Sequence, residues 1–409
     1  MKKIFKLASL FCCGAIAVSS LASCSDDDSL STSEQQSTEI KAIAEQFLSG
    51  TVYPTYTLLA NGTDTLYDKL NDLQKKAHNG ETITASEMQD VADVFLRARA
   101  NYELSEAFLF GAASDFGIDP HIDSWPLDLA TMQTSLNNTA IIEGLRDDNG
   151  DADGAYAGTA LSPATLGFHG IEYVLFRDGQ VRTDLNEPDA GLNNLSGELE
   201  LLYAAAVAGD LRNYCVQMEV LWNADASDEH KALVEENEMA TTMTNGSTYG
   251  ENMLNAAQAG STYSNWIRVM NDIIISGCQN IADEVANTKI GKPYYGTSDD
   301  DLNYIESPYS QKSIQDFTHN MQSIQNVLLG GREESRNQSA SVYNYLNSRN
   351  PEMAATLVEK LNTAISAVSS MAAPFVNNKK DASVLTAINA VNDLSNYLVT
   401  VDEYIRTND

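Results

Sequence analysis

The sequence predicts an all-α protein with two domains that resemble four-helix bundles, an arrangement consistent with an internal duplication. Apolar residues recur at helical spacing through most of the chain, as they do at Ile40, Ile43 and Phe47. Sustained alternation with a period of two residues, the pattern of half-buried strands, does not occur. With 409 residues, of which 43% are hydrophobic, the chain is long enough for two or three domains with a core.

The first 23 residues predict a lipoprotein signal peptide. Three lysines precede an apolar run over residues 7–18, which is too short to span a membrane as a helix. The run ends in the lipobox-like sequence Leu21-Ala22-Ser23-Cys24, so we expect Cys24 to be lipidated. Residues 24–37 read as an acidic tether that is too polar to pack. Its three consecutive aspartates resemble a signal for export to the outer face of the outer membrane. We therefore expect a lipid-anchored, surface-exposed protein.

Two helical bundles are predicted after the tether, over residues 38–230 and 231–409. Asn, Asp, Thr and Gly become frequent over 223–251 while large apolar residues become rare, which places the boundary there. A short similarity between 105–111 and 324–330 favours duplication. Periodicity and capping signals predict helices over residues 84–111, 163–178, 195–222, 252–287, 310–329, 335–348, 352–372 and 382–406, and long loops over 144–161 and 291–309.

The charge of the chain restricts its partners. Lys and Arg total 25 against 57 Asp and Glu, a net charge of −32, and the basic residues do not cluster. Nucleic acid is excluded as a partner because binding a phosphate backbone needs clustered Lys and Arg, whereas small cations are compatible. Cys215 and Cys278 lie in apolar helical patterns and are predicted to be buried free thiols.

The predicted helix 163–178 carries the first candidate site residues. It is apolar nearly all round, which indicates a buried helix, yet it contains His169 and Glu172 three residues apart on one face. A buried carboxylate needs a partner or a metal ion. Gly167 and Gly170 each weaken the helix, and we expect them to allow another backbone or a ligand to come close. Spacing alone leaves a satisfied His–Glu pair and a ligand site both open.

The predicted helix 84–111 adds charges at core positions. Arg99 and Glu106 fall on or beside its apolar stripe, where a solvated charge does not belong. A polar cluster shared with His169 and Glu172 would satisfy all four side chains. Glu103 lies further round the helix and is expected to be exposed. The following segment contains Asp119, Asp123 and Asp128, which suit either a ligand set or turns and helix caps.

Three segments together resemble the imelysin-like proteins. Gly167-Phe168-His169-Gly170-Ile171-Glu172 matches their GxHxxE motif, and Arg97–Gly111 and Trp125-Pro126-Leu127-Asp128 extend the similarity. The resemblance implies an all-helical protein of two bundles, secreted or lipid-anchored and associated with bacterial iron uptake. It also implies a metal site formed by His169, Glu172, Glu106, Asp123 and Asp128, with Arg99, Gly167 and Gly170 in support.

One imidazole with several carboxylates suits iron, manganese or zinc, and we expect iron or zinc. The family also carries a metallopeptidase label, but an HExxH motif is absent, as are a GxSxG elbow and a P-loop. We therefore expect metal or iron-ligand binding rather than catalysis. A metal-dependent peptidase is one alternative. The other is an interaction protein in which the polar cluster is structural and the Tyr-rich segment 291–309 contacts a protein partner.

Overall fold

The computed structural model of the chain describes residues 32–407 except for 190, 191 and 193. The predicted signal peptide, Cys24 and residues 25–31 lie outside the described residues. Residues 32–37 of the predicted tether instead form the first turns of a helix. Gln36 is buried there and donates a hydrogen bond of 2.9 Å to the Tyr345 hydroxyl. That contact explains why a polar segment packs.

The N-terminal half contains long helices joined by short ones, and its two strands form a hairpin in antiparallel register. The elements are α1 (Thr32–Phe47), α2 (Tyr53–His78), α3 (Ala85–Glu103), α4 (Ala112–Asp115), α5 (Asp119–Ile122), α6 (Leu129–Ser135), α7 (Thr139–Gly144), α8 (Gly154–Ala160), α9 (Gly167–Leu175), β1 (Phe176–Arg177), β2 (Gln180–Val181) and α10 (Gly197–Trp222).

The C-terminal half is also helical, and π-helical turns at Met270–Ile275 and Val285–Lys289 interrupt its first long segment. The elements are α11 (Asp228–Glu236), α12 (Tyr249–Leu254), α13 (Trp266–Val269), α14 (Ser276–Glu284), α15 (Gly291–Tyr295), α16 (Asp299–Leu302), α17 (Ser313–Leu329), α18 (Val342–Arg349), α19 (Pro351–Ser369), α20 (Phe375–Asn378) and α21 (Ala382–Thr407). The all-α prediction is confirmed.

Several predicted helices are shorter than expected: the predicted helix 252–287 is interrupted between α12 and α13, the one over 335–348 begins at Val342, and both helices with candidate site residues are shorter. Helix α3 ends at Glu103, not near residue 111, because the chain turns through a 3₁₀ segment at Glu106–Phe108. The predicted helix 163–178 begins with a 3₁₀ turn and ends at Leu175. Gly179, which directly follows the predicted end of that helix, has a φ of +77° in the tight turn between β1 and β2.

Two packed groups of helices share one hydrophobic core. Helix α10 packs against α2, α8 and α9, while α19 and α21 pack against α17 and α14. Helix α1 packs on α12 and α13, and its Glu39 pairs with Arg349 at 2.7 Å. One buried apolar cluster runs from Ile40 to Ile405. The division into domains at residues 230 and 231 therefore stays a prediction.

Two further sequence features can be located in the structure. Cys215 and Cys278 are free and buried, as predicted. Among the described helices, none combines the length and the apolar character needed to cross a bilayer.

Candidate metal centre

Helix α9 begins where the chain passes very close to the segment that carries Asp123. Gly167 has a φ of +68°, and a Cβ placed on it would lie 1.9 Å from the carbonyl oxygen of Ile122. A Cβ on Gly170 would lie 2.4 Å from the Tyr203 hydroxyl. Both glycines therefore allow close approach of neighbouring groups, as predicted, and Gly167 brings the start of α9 next to Asp123.

Carboxylates flank His169 on both sides. Its Nε2 lies 3.1 Å from Asp123 Oδ1, and its Nδ1 lies 3.4 Å from Glu172 Oε2. The other oxygen of Glu172 accepts two hydrogen bonds of 2.7 Å, from the backbone N–H and the hydroxyl of Ser310. Glu172 is thus held behind the imidazole, in the place where a second carboxylate orients a metal-binding histidine.

Arg99 lies at the centre of the cluster and is 3% exposed. Its guanidinium pairs with Asp123, Glu103 and Glu306. The ring of Phe168 lies 5.1 Å from the guanidinium carbon, which adds a cation–π contact. The predicted need for buried partners is therefore met by three carboxylates at once.

Lys289 supplies a second buried cation. The π-helical turn Val285–Lys289 places it among the carboxylates, and its side chain is 1% exposed. Its Nζ lies 3.0 Å from Glu106 Oε1 and 3.1 Å from Glu306 Oε1. Lysine and arginine thus enter the same group of acids from different halves of the chain.

We define the charged cluster by its members: Arg99, Glu103, Glu106, Asp123, His169, Glu172, Lys289, Glu306 and Asp316. Its six carboxyl side chains are each less than a tenth exposed, yet only two of its members are permanently cationic. Burying uncompensated carboxylates is costly unless protons or a bound cation balance them. The charged cluster is therefore short of positive charge.

The pKa values of the charged cluster reflect that imbalance. Burial lowers the pKa of His169, but hydrogen bonds to Asp123 and Glu172 outweigh it and raise the value to about 9. Burial raises the pKa of Glu306 to about 8 and that of Asp316 to about 7, with Glu103 adding to both shifts. Burial also raises the pKa of Glu106 despite the nearby Lys289. Protons are thus held where positive charge is lacking.

Within the described residues, two overlapping groups of side chains could hold a metal ion. Asp123, His169 and Glu306 form one, and Glu103, Glu106 and Asp123 form the other; in each, the candidate ligand atoms lie within 4.8 Å of one another. Glu306 Oε2 is buried without a hydrogen-bond partner. The first group thus offers one imidazole nitrogen and carboxylate oxygens, including the unpartnered Oε2 of Glu306. This set of ligand atoms suits iron, manganese or zinc.

The predicted ligands occupy three kinds of position. His169 and Asp123 share the first group, and Glu106 joins Asp123 in the second. Glu172 belongs to neither group and supports the imidazole instead. Asp128 is exposed and caps α6, where it accepts hydrogen bonds from the backbone and hydroxyl of Thr131. The structure therefore does not bring Asp128 to the charged cluster.

Four members of the charged cluster were not recognised from the sequence. The expectation that Glu103 is exposed was wrong: it is fully buried, because Arg99 and Asn320 of α17 cover it. Lys289 follows Ile281 and Val285 at helical spacing, so its apolar stripe could have revealed it. Glu306 lies outside any helix and carries no such signal, and no prediction concerns Asp316.

The Tyr-rich segment 291–309 is more ordered than a loop, since it contains α15 and α16. Tyr304 stacks against Trp125 with ring centroids 4.2 Å apart, and Tyr309 packs edge-on against Tyr173. Tyr295 is 61% exposed. Two of the four tyrosines of the segment therefore pack against the N-terminal half, and the same segment contributes Glu306 to the charged cluster.

The other described histidines lie outside both groups. His121 pairs with Asp210 at 2.7 Å, and His230 pairs with Glu219. His78 pairs with Glu198 near the surface. Each of the two groups contains at most one histidine, so a multi-histidine zinc site is not formed by the described residues.

Comparison with known proteins agrees with this architecture. The family described as imelysin, peptidase M75, matches residues 52–401. Iron-regulated protein A of Synechococcus elongatus is 25% identical over 356 residues, which cover 86% of this chain and 83% of that protein.

Two solved structures are similar in fold. The crystal structure of an iron-regulated protein A precursor from Parabacteroides distasonis has a TM-score of 0.71 at 24% identity, over 90% of this chain and 95% of that one. An imelysin-like protein from Psychrobacter arcticum has a TM-score of 0.54 at 15% identity, over 91% and 94% of the two chains. These similarities support the fold.

Proposed function

The chain belongs to the imelysin family, and we propose that it binds one metal ion between Asp123, His169 and Glu306. The observation that carries this proposal is the free Oε2 atom of Glu306, which is buried beside an imidazole and a second carboxylate. An unpartnered carboxylate oxygen in a buried site is costly, and a bound cation would supply the missing partner.

The size and chemistry of the group restrict the ligand. Candidate ligand atoms that all lie within 4.8 Å of one another suit a single ion, and the surrounding side chains are almost fully buried. Carboxylates and one imidazole suit ferrous iron, manganese or zinc. The name of the Synechococcus relative, iron-regulated protein A, favours iron among these ions. We therefore propose iron uptake as the process that this chain serves.

Supporting residues would hold the group in place. Glu172 would fix the imidazole orientation through Nδ1 and leave Nε2 for the metal. Arg99 would keep Asp123 and Glu306 side by side. What the metal would supply is positive charge in a cluster that lacks it.

Metal binding is tested by elemental analysis and titration calorimetry with Fe²⁺, Mn²⁺ and Zn²⁺ on the purified protein. We expect one ion per chain. Glu172→Gln should weaken binding by roughly 10–100-fold, the usual cost of losing a supporting partner, and His169→Ala should weaken it further. Asp128→Asn is the matched control, because Asp128 is exposed and belongs to neither group of candidate ligands. Equal affinity in the wild type and folded His169→Ala would contradict the proposal.

A structural role is the second candidate, and the contacts of Arg99 and Lys289 favour it. These two cations already join carboxylates from both halves of the chain. If the charged cluster only holds the halves together, His169→Ala/Glu172→Ala should lower stability, and no metal ion should protect the wild type from thermal unfolding. Protection by metal in the wild type alone would favour the binding function.

We also propose that the protein is anchored by lipid at Cys24 and exposed on the outer membrane. This part of the proposal depends on the lipobox-like sequence and the aspartates that follow it. Cys24→Ala should move the protein from the membrane to the soluble fraction in cell fractionation. Protease treatment of whole cells should remove the wild type; full protection would contradict surface exposure.

A further inference from the structure

We propose that Lys289 is a built-in cation that limits the centre to one metal ion by filling the group formed by Glu103, Glu106 and Asp123. This inference rests on the proposed metal binding at Asp123, His169 and Glu306, and it concerns how many ions that centre holds. The two groups share Asp123, so this carboxylate would bridge two ions if each group held one.

The two groups differ in how their oxygens are used. In the first group, Glu306 Oε1 accepts hydrogen bonds from Arg99 and Lys289, while Oε2 has no hydrogen-bond partner. In the second group, Glu106 Oε1 accepts a hydrogen bond of 3.0 Å from the ammonium of Lys289. Glu103 Oε1 pairs with Arg99 but accepts no hydrogen bond, and its Oε2 accepts a hydrogen bond from Asn320. Each glutamate of the second group is therefore already paired with a protein cation through one oxygen, whereas Glu306 Oε2 in the first group has neither an ion pair nor a hydrogen bond.

Lys289 is held in this position by the fold. It ends a π-helical turn, its Nζ lies 3.0 and 3.1 Å from two carboxylate oxygens, and Glu103 Oε2 lies 4.0 Å away. The side chain is 1% exposed, so the ammonium has no route to solvent without local opening. A metal ion in the second group would have to displace this ammonium from the carboxylates it neutralises.

Removing the ammonium should convert the second group into a metal site. Lys289→Met keeps an apolar chain of similar length but leaves Glu106 without its cation, while Glu103 keeps only Arg99. We expect Lys289→Met to bind two Mn²⁺ or Zn²⁺ ions per chain where the wild type binds one, measured by elemental analysis after gel filtration. Bound Mn²⁺ should change from the six-line electron paramagnetic resonance spectrum of an isolated ion to that of a coupled pair.

Two lysine variants serve as controls. Lys289→Arg keeps the positive charge and should retain the wild-type stoichiometry. Lys292→Met removes a lysine three residues away, whose Nζ lies over the ring of Tyr304 rather than among the carboxylates, and should also bind one ion. His169→Ala/Lys289→Met should keep the new ion and lose the original one.

The outcomes separate this inference from the proposed function. Equal stoichiometry in Lys289→Met and the wild type overturns the inference, whatever that stoichiometry is. No ion in the wild type but one in Lys289→Met overturns the proposed function and supports the role of Lys289. Lys289→Ala is the second variant with the same expectation. If neither variant folds with Mn²⁺ or Zn²⁺ present, an ion cannot replace the ammonium and the inference fails.

Discussion

His169 shows how single contacts govern the candidate centre. Burial acts against its protonated form, but Asp123 and Glu172 stabilise that form and raise the pKa to about 9. At neutral pH the imidazole is therefore protonated when no metal is bound. A metal ion needs the neutral nitrogen, so it must displace this proton before it can bind.

Metal affinity should therefore depend strongly on pH. Below pH 9, each unit of acidification should weaken binding by at least about tenfold, because one proton must leave His169. Calorimetry in buffers of different ionisation enthalpy should show release of at least one proton per ion at pH 7. An affinity that is constant between pH 6 and 8 would contradict this assignment of His169.

At the scale of the element, the start of α9 is the structural basis of the centre. Gly167 adopts a left-handed conformation while its Cα faces the carbonyl of Ile122. That contact sets the distance between the helix that carries His169 and the segment that carries Asp123. An L-residue at this position would meet both an unfavourable φ and a backbone clash that no side-chain rotation can relieve.

Gly167→Ala should consequently be far more harmful than the same change at Gly80. Gly80 has a similar φ of +73°, but a Cβ added there would have no other atom within 4 Å. Gly80→Ala should cost about 1 kcal/mol, the usual penalty of the left-handed region. Gly167→Ala should cost about 3 kcal/mol or more and weaken metal binding. Denaturant unfolding measures both, and similar losses would show that the clash is relieved by small movements.

At the scale of the whole molecule, the charged cluster joins distant parts of the chain. Arg99 and Glu306 are 207 residues apart in sequence, and Glu106 and Lys289 are 183 apart. The apolar core also runs continuously through both halves. Stability and the candidate centre therefore depend on the same contacts, and the protonation of the charged cluster should affect unfolding.

The metal-free protein should be more stable at pH 5.5 than at pH 8.5. The raised pKa of His169 gives stability that is complete below its unfolded value of 6.5 and is lost as the pH rises to about 9. Glu306 changes the stability in the same direction. Its pKa is about 8 in the folded state and ordinarily 4.5, so between pH 4.5 and pH 8 only the folded state keeps the proton, and stability falls as the pH rises.

Thermal unfolding in the presence of chelator measures this dependence. Glu306→Gln should reduce it, because the amide cannot titrate, and saturating metal at pH 8.5 should restore stability to the wild type. Burial acts to raise the pKa of Asp123, but Arg99 and His169 outweigh it and hold the pKa below its ordinary value, so the stability that this group contributes is not lost between pH 5.5 and pH 8.5. Stability that rises from pH 5.5 to pH 8.5 would contradict the protonation of the charged cluster.

The sequence by itself determined the helical class and the local part of the candidate centre. Helical periodicity is a local property, so it revealed the buried helix with His169 and Glu172 and the misplaced charges at Arg99 and Glu106. The glycines of α9 were also recognisable, because glycine in a helix needs a steric reason. These predictions required only residues within one or two turns of each other.

The tertiary structure alone decided which acids meet. The sequence does not distinguish Asp123 from Asp128, but in the structure Asp123 faces His169 whereas Asp128 caps α6. Glu306 comes from a segment without periodicity and reaches the centre because that segment packs against α9. A buried charge is stable only where partners surround it. For Glu306 and Glu106, those partners lie about two hundred residues away along the chain, so local sequence patterns do not reveal them.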